Sequence, residues 1–340
     1  MKKKKLTLFS AIQPSGNLTI GNYISVLRYW KYLQKDYKCI FCIADLHSLT
    51  SFKKKKENLS IKKSILDTLA LYLACGVDPN QSIVFIQSSV SEHSELNWVL
   101  SCYSSYQELT RMTQFKSKIL DYRRHINSGL FNYPVLMASD ILLYKTDKVH
   151  VGEDQKQHIE LTRNIANKFN SIYGKIFKIP DILIYKSGAR IMSLLDPKRK
   201  MSKSDKNVKS TIFLLEDPQD IFLKIKSSVT DSDLPPKIVF DMYKKPGISN
   251  LLIILSTLSG ISLCELEKHF LGKSYFELKK EVYNIVEKNI LKIQKKFFFY
   301  RNKKKLLYKI FSEGSYKASK IAKKTLAKIY KVLGLFKKYQ

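Results

Sequence analysis

Phe9-Ser10-Ala11-Ile12-Gln13-Pro14-Ser15-Gly16-Asn17-Leu18-Thr19-Ile20-Gly21-Asn22-Tyr23 is the stretch whose reading decides the fold of this chain. The apolar run from Leu6 to Ile12 breaks at Pro14 and Gly16, and Tyr23, Val26, Leu27, Trp30 and Leu33 then recur at helical spacing. That is a strand, a tight loop and a helix. At the carboxyl edge of an α/β sheet such a turn is where ligands bind, and a helix start offers N–H groups suited to phosphate. Gly21 lacks a side chain where a flat ring could approach the backbone. Two phosphate-binding schemes are excluded. Gly16 and Gly21 have phosphate-loop spacing, but Asn22-Tyr23 stand where that loop requires Lys and Ser or Thr; nor does G-x-G-x-x-G follow a strand here.

With 340 residues and 44% hydrophobic content, the chain is long enough for two domains with sizeable cores. Its net charge of +31 points to a polyanionic partner such as nucleic acid. Lysine greatly exceeds arginine, so part of this surplus also reads as coding bias displayed on solvated surface. Five scattered cysteines suit reduced thiols in a cytoplasmic protein. Cys39 and Cys42 form C-x-x-C inside the apolar run Cys39-Ile40-Phe41-Cys42-Ile43-Ala44, where the pleat sends them to opposite faces, so no zinc site is expected. The basic start Lys2 to Lys5 leads straight into the first strand, unlike a secretory signal. The apolar run Leu251 to Leu258 is too short to span a bilayer, so no membrane anchor is expected.

The strand Cys39 to Ala44 is followed by Asp45-Leu46-His47-Ser48, again a polar cluster at a carboxyl end; His47 reads either as a site residue or as a helix-start group. A basic turn over residues 53–56, a helix from Ile61 to Leu73 and a strand from Ser82 to Gln87 complete a βαβαβ half. Residues His93 to Lys118 read as helical packing or subunit-interface positions, and Arg123, Arg124 and Gly129 as an exposed loop. In Tyr133-Pro134-Val135-Leu136-Met137-Ala138-Ser139-Asp140-Ile141-Leu142, with Pro134 at the helix start, one carboxylate stands in an apolar helix. Asp140 needs either an internal partner or a ligand, since an unpaired buried charge costs several kcal/mol, roughly 2–5.

Val149-His150-Val151 reads as a strand, and Gly152-Glu153-Asp154-Gln155 opens the helix Lys156 to Phe169, with ordinary acidic capping or a second ligand turn as its meaning. The stretch Ser187 to Lys206 is polar and aperiodic, and Lys198-Arg199-Lys200-Met201-Ser202-Lys203-Ser204 interleaves ammonium and hydroxyl groups. Such a loop suits a polyphosphate or is simply a solvated basic loop. From Pro218 onward the chain is helical, and lysine-dense amphipathic helices run from about Leu263 to Leu335.

Gln13-Pro14-Ser15-Gly16, Thr19-Ile20-Gly21-Asn22, Gly152-Glu153-Asp154-Gln155 and Lys200-Met201-Ser202-Lys203-Ser204, in this order and spacing, resemble the signatures of class I aminoacyl-tRNA synthetases. With Met137 to Leu142 and Lys245-Pro246-Gly247-Ile248-Ser249-Asn250, the chain resembles the bacterial tryptophanyl branch over nearly its whole length. The resemblance implies an α/β Rossmann-type parallel-sheet catalytic domain (1–205) with a helical insertion at about 90–140 at a dimer interface, and an all-helical anticodon-binding domain (206–340). It implies ATP as substrate with Mg²⁺ carried on its phosphates, L-tryptophan, tRNA(Trp) and a homodimer, with no protein-bound metal.

By the same resemblance, Gln13, Pro14, Ser15, Gly21, Asn22, Gly152, Glu153, Asp154, Ile191, Lys200, Met201, Ser202, Lys203 and Ser204 match ATP-binding positions, with Lys200 and Lys203 stabilising the leaving pyrophosphate. Asp140 matches the acceptor of the indole N–H, and Phe9, His47, Tyr133, Met137 and Gln155 match other tryptophan-pocket positions. Leu46 and Ala11 depart from the family's frequent Gln and Gly. A tyrosine-specific sister enzyme and a non-catalytic tRNA-binding or nucleotide-binding descendant are the alternatives.

Overall fold

The computed structural model describes residues 5–14, 18–50, 55–115, 127–184, 190–203, 205 and 207–336. Ser15, Gly16, Asn17, Arg123, Arg124, Ser187, Ser204 and Lys206, all named above, lie outside them. Five strands, β1 (Thr7–Ile12), β2 (Lys38–Ile43), β3 (Ile83–Ile86), β4 (Lys148–His150) and β5 (Asp181–Leu183), form one parallel sheet in the order β3-β2-β1-β4-β5. β1 pairs with β2 from Thr7↔Lys38 to Ile12↔Ile43, and with β4 at Leu8↔Lys148 and Phe9↔Val149. The chain leaves β1 toward one edge and later returns to its other flank. The crevice at the carboxyl ends of β1 and β4 is therefore the topological switch point, where ligands bind in open α/β sheets.

Helices cover both faces: α1 (Ile20–Asn22) runs through a π turn (Tyr23–Leu27) into α2 (Arg28–Asp36), then come α3 (Lys55–Ala74), α4 (Glu92–Ser101), α5 (Tyr106–Thr110), α6 (Ser128–Leu142) and α7 (Lys156–Tyr173). Cys39 packs with Leu8 and Phe41 on one face of the sheet, and Cys42 with Phe9 and Ile40 on the other, as the pleat requires. Trp30 anchors α2, stacking on Phe41 at 4.3 Å while its Nε1 donates to His150 Nδ1 at 3.2 Å.

Three local expectations are corrected. Pro134 lies inside α6 rather than at its start, because Asn127 Oδ1 accepts from the Leu130 N–H at 2.8 Å and caps the helix earlier; Gly129 consequently falls in the first turn, not in a loop. Over the described residues 93–115 the helical pattern is not continuous. It breaks after Ser101, where Ser101 and Ser104 hydroxyls donate back to the carbonyls of Asn97 and Leu100, each at 2.8 Å. β5 is a strand that the sequence pattern does not mark.

Beyond the sheet come α8 (Pro218–Lys226), α9 (Pro246–Ser259), α10 (Leu263–His269), α11 (Tyr275–Arg301) and α12 (Lys304–Leu333). Leu278, Val282, Val286, Ile290, Ile293 and Phe297 line the buried face of α11 at helical spacing. α12 lies against the edge strand β3, so closely that a Cβ on Gly314 would stand 1.8 Å from the Val84 carbonyl oxygen. Glycine is what lets the helix cover that edge. Among the described residues no single helix is long and apolar enough to cross a membrane.

Candidate active site

Two adjoining cavities open at the switch point. The outer, about 190 Å³, is lined by Thr19, Gly21, Asn22 and Ser25 from the first loop and helix, Gly152 to Asp154 after β4, and Arg190, Ile191, Lys200 and Met201. Thr19 and Asn22 form a capping box: Asn22 N–H donates to Thr19 Oγ1 at 3.2 Å and Thr19 N–H to Asn22 Oδ1 at 3.0 Å. The box satisfies two backbone donors at the helix start and fixes both side chains in the cavity wall. A Cβ on Gly21 would lie 3.4 Å from Thr19 Oγ1 and 3.6 Å from Ile191 Cβ, an ordinary contact. Protein packing does not demand this glycine, which lines the cavity.

Across the mouth, Lys200 Nζ donates to Asp154 Oδ1 at 2.7 Å. Burial pushes the Asp154 carboxyl up, but Lys200 outweighs it and holds the group below the usual carboxylate range. Lys200 rides on a hairpin that is closed by Met201 N–H to the Ile191 carbonyl at 3.0 Å and Ser193 N–H to Arg199 at 2.8 Å. Asn250 of α9 grips this hairpin from behind, its Oδ1 accepting from Met192 N–H at 2.9 Å and its Nδ2 donating to Met192 O at 3.0 Å.

The inner cavity, about 230 Å³, is mostly apolar, walled by Phe9, Ala11, Ala44, Met137, Ile141, Val149 and Val151, with Gln13, His47, Thr50, Gln114, Tyr133, Asp140 and Gln155 supplying polar groups. Its charged group is Asp140, 1% exposed. Oδ1 accepts from His93 Nδ1 at 2.6 Å and Gln87 Nε2 at 2.7 Å; Oδ2 accepts from His47 Nε2 at 2.9 Å and Gln87 Nε2 at 2.9 Å. Burial raises this carboxyl, but the two imidazoles prevail and bring it down to about 2. Asp140 is an anion across the working pH range. Burial pushes the Tyr133 phenol up to about 12, so its hydroxyl stays protonated beside His158 Nε2 at 2.9 Å.

The class I tRNA synthetase model for the tryptophan and tyrosine enzymes matches residues 1–290. The chain belongs to that family. A curated tryptophan–tRNA ligase of Buchnera aphidicola subsp. Schizaphis graminum is 57% identical over 333 residues, covering 97% of this chain and 98% of that protein. The crystal structure of Mycoplasma pneumoniae tryptophanyl-tRNA synthetase superposes with a TM-score of 0.91 at 34% identity, covering 98% of this chain and 99% of its own. That of the Campylobacter jejuni enzyme, complexed with ADP and tryptophan, gives 0.79 at 32%, covering 97% and 100%. The α/β Rossmann-type architecture with a helical C-terminal region is thereby shown.

In this family frame, the chain's signature residues converge at one sheet edge, though in two groups. Gly21, Asn22, Gly152, Glu153, Asp154, Ile191, Lys200 and Met201 surround the outer cavity, while Phe9, His47, Tyr133, Met137, Asp140 and Gln155 surround the inner one. Gln13, matched to ATP, stands on the inner wall, its Nε2 donating to His47 O at 3.3 Å. Pro14 is buried, and Ser202 and Lys203 are exposed on the limb beyond Met201. Sequence reasoning misses Arg190 and Gln114 in the walls, and Gln87 and His93 behind Asp140. Gln87 is discoverable: it directly follows β3, at the same carboxyl edge that makes His47 and Gln13 candidates.

Proposed function

We infer that this chain is a tryptophan–tRNA ligase that activates L-tryptophan with ATP to tryptophanyl-adenylate and pyrophosphate, then passes tryptophan to the terminal adenosine of tRNA(Trp). The observation that carries the choice of amino acid is Asp140, a buried anion in the wall of an apolar cavity of ring size. An acceptor-only group suits indole, a donor with no acceptor. Phenylalanine has no donor to offer Asp140 and forgoes the bond that indole makes, so it is disfavoured.

ATP occupies the outer cavity, its adenine against Gly21 and Ile191 and its phosphates toward Lys200, Lys203 and Arg190. The tryptophan carboxylate attacks the α-phosphorus; the bond to the β-phosphate oxygen breaks, and the lysines neutralise the departing pyrophosphate, so positioning and charge carry the step. Mg²⁺ arrives on the ATP phosphates. In the second step a ribose hydroxyl of the tRNA terminus attacks the acyl carbon and AMP leaves. The helical part from residue 206 holds the anticodon arm of tRNA, and α4 with α5, which expose Trp98 and Tyr106, meets a second copy of the chain.

Tryptophan-dependent ATP–pyrophosphate exchange, run without tRNA beside tyrosine and phenylalanine, tests this. Exchange with tryptophan alone is expected; exchange with tyrosine reassigns the protein to the sister enzyme, and no exchange from folded, ATP-binding protein makes it a non-catalytic binder.

A further inference from the structure

We propose that His93 is the positioning residue that keeps Asp140 a pure hydrogen-bond acceptor and thereby sets selectivity for tryptophan, an inference that rests on Asp140 as the partner of the indole N–H. His93 is wholly buried and absent from the cavity wall, so it acts only through Asp140. Its two ring nitrogens are both committed: Nδ1 lies 2.6 Å from Asp140 Oδ1 and Nε2 lies 2.7 Å from the Tyr144 hydroxyl. In the neutral ring the Tyr144 O–H donates to Nε2 and the proton sits on Nδ1, and in the imidazolium both nitrogens donate, so in either form Nδ1–H points at the carboxylate. The backbone is pinned as well. Ser139 Oγ, one residue before Asp140, donates to the His93 carbonyl at 2.8 Å, so α4 and α6 are tied at two adjacent points.

A carboxylate this deep takes up a proton unless donors hold its charge. Protonated, Asp140 would offer an O–H as well as a carbonyl and could pair with groups that accept, a phenol oxygen included. Three donors prevent this, but they differ in constancy. His47 stands on the cavity wall, where an incoming indole N–H competes with it for Oδ2. Gln87 is neutral, its Oε1 accepting from Leu46 N–H at 3.0 Å while Nε2 bridges both carboxylate oxygens. The other ionisable groups that feel the charge of Asp140, Cys42 on β2 and Tyr144 beyond α6, carry no positive charge. His93 alone among these three donors is both an imidazole and beyond the ligand's reach.

The test separates the ring's two nitrogens. His93→Asn keeps an amide N–H near the Nδ1 position; His93→Gln places its amide near Nε2 and withdraws the donor from Asp140. Pyrophosphate exchange with tryptophan and tyrosine is measured on both, on Tyr144→Phe and on Asp140→Asn, with thermal melts alongside. His93→Gln is expected to raise the tryptophan KM about tenfold or more, the loss of one charge-assisted hydrogen bond, with the ATP KM unchanged and the preference over tyrosine narrowed. His93→Asn should restore most of it, and Tyr144→Phe, which frees the tautomer but keeps the ring, should narrow the preference less. Unchanged tryptophan KM in His93→Gln, or equal loss in the Asn and Gln variants, overturns the proposal; should those two fail to fold, an unchanged preference in Tyr144→Phe does. If Asp140→Asn leaves the tryptophan KM unmoved, the reading of Asp140 itself falls, whatever His93 does.

Discussion

Replacing Asn250 by alanine should slow adenylate formation while sparing tryptophan binding. Asn250 and Met192 are both buried, and the side-chain amide satisfies both backbone groups of Met192, at 2.9 and 3.0 Å. Alanine removes both partners at once. A buried polar group left unanswered costs roughly 1–3 kcal/mol, so the two together put about 2–6 kcal/mol against the present seating of the hairpin. Its other ties, Leu194 N–H to the Ser210 carbonyl at 2.9 Å and Val229 N–H to the Leu194 carbonyl at 2.8 Å, remain and keep it from leaving altogether. Even about 1.4 kcal/mol of lost positioning at Lys200 is a tenfold rate effect. The surroundings of Asn250 point the same way: Lys245 Nζ bridges Asp231 at 2.6 Å and Asp233 at 2.5 Å, and a Cβ on Gly247 would strike the Val229 carbonyl oxygen at 2.2 Å. The helix start is thus pressed onto the segment that follows the hairpin. Pyrophosphate exchange at saturating tryptophan gives kcat/KM for ATP, expected to fall about tenfold or more, while calorimetry should find tryptophan affinity within about twofold of the native value. Unchanged exchange, or tryptophan affinity falling in parallel with it, would refute the argument.

Gly21→Ala should fold normally, since its Cβ meets only ordinary contacts, yet raise the ATP KM about tenfold; an unchanged KM means no ring lies there. Gly314→Ala forces α12 off the Val84 carbonyl and should cost about 3 kcal/mol in denaturant unfolding, a value that an unshifted midpoint would contradict. Burial lowers His150 from 6.5 to about 4, so below pH 6.5 the unfolded chain binds a proton that the native state refuses. Stability should therefore fall by about 3 kcal/mol as pH drops from 6.5 to 4, and His150→Gln should flatten that part of the stability–pH curve. Lys203→Ala, on the exposed limb of the hairpin, should slow single-turnover adenylate formation with near-native tryptophan binding, and an unchanged rate removes it from the transition state.

What can be read from the sequence follows from how local each signal is. β1 and β2 are apolar runs ended by Pro, Gly or Asp, and a run of that kind is legible as a largely buried strand from its own residues. β5 is not, because its three residues are exposed or half-buried and its pairing with β4 is specified by the sheet rather than by a run of its own. Asp140 announces itself as a carboxylate in an apolar helix, with internal partner and ligand both open. The structure supplies the internal partners, His47, His93 and Gln87, from three separate segments, and leaves the carboxylate on a cavity wall. None of those three positions is within a helical turn of Asp140, so no spacing could reveal them. Pro134 misleads because the first-turn preference of proline is only a tendency, whereas the Asn127 cap satisfies a backbone donor and fixes where α6 begins.

The segment from Val151 to Gln155 contributes to the lining of both cavities, and one carboxylate on it joins them. Gln155 lines the inner cavity and donates to Asp154 Oδ2 at 2.9 Å, while Asp154 Oδ1 holds Lys200 at the mouth of the outer one. Gln114, also on the inner wall, donates to the Asp154 carbonyl at 3.3 Å. The Asp154–Lys200 pair is partly exposed, and such pairs contribute only about 0–1 kcal/mol, so a polyphosphate carrying several negative charges takes the lysine at little cost. When it does, Asp154 loses its cation and keeps Gln155. In the proposed reaction a carboxylate in the inner cavity meets a phosphorus in the outer one, so both substrates must be seated together. The Asp154–Lys200 pair, weak enough to exchange and with its acid held by an inner-wall amide, is a hydrogen-bonded path that runs from one cavity to the other.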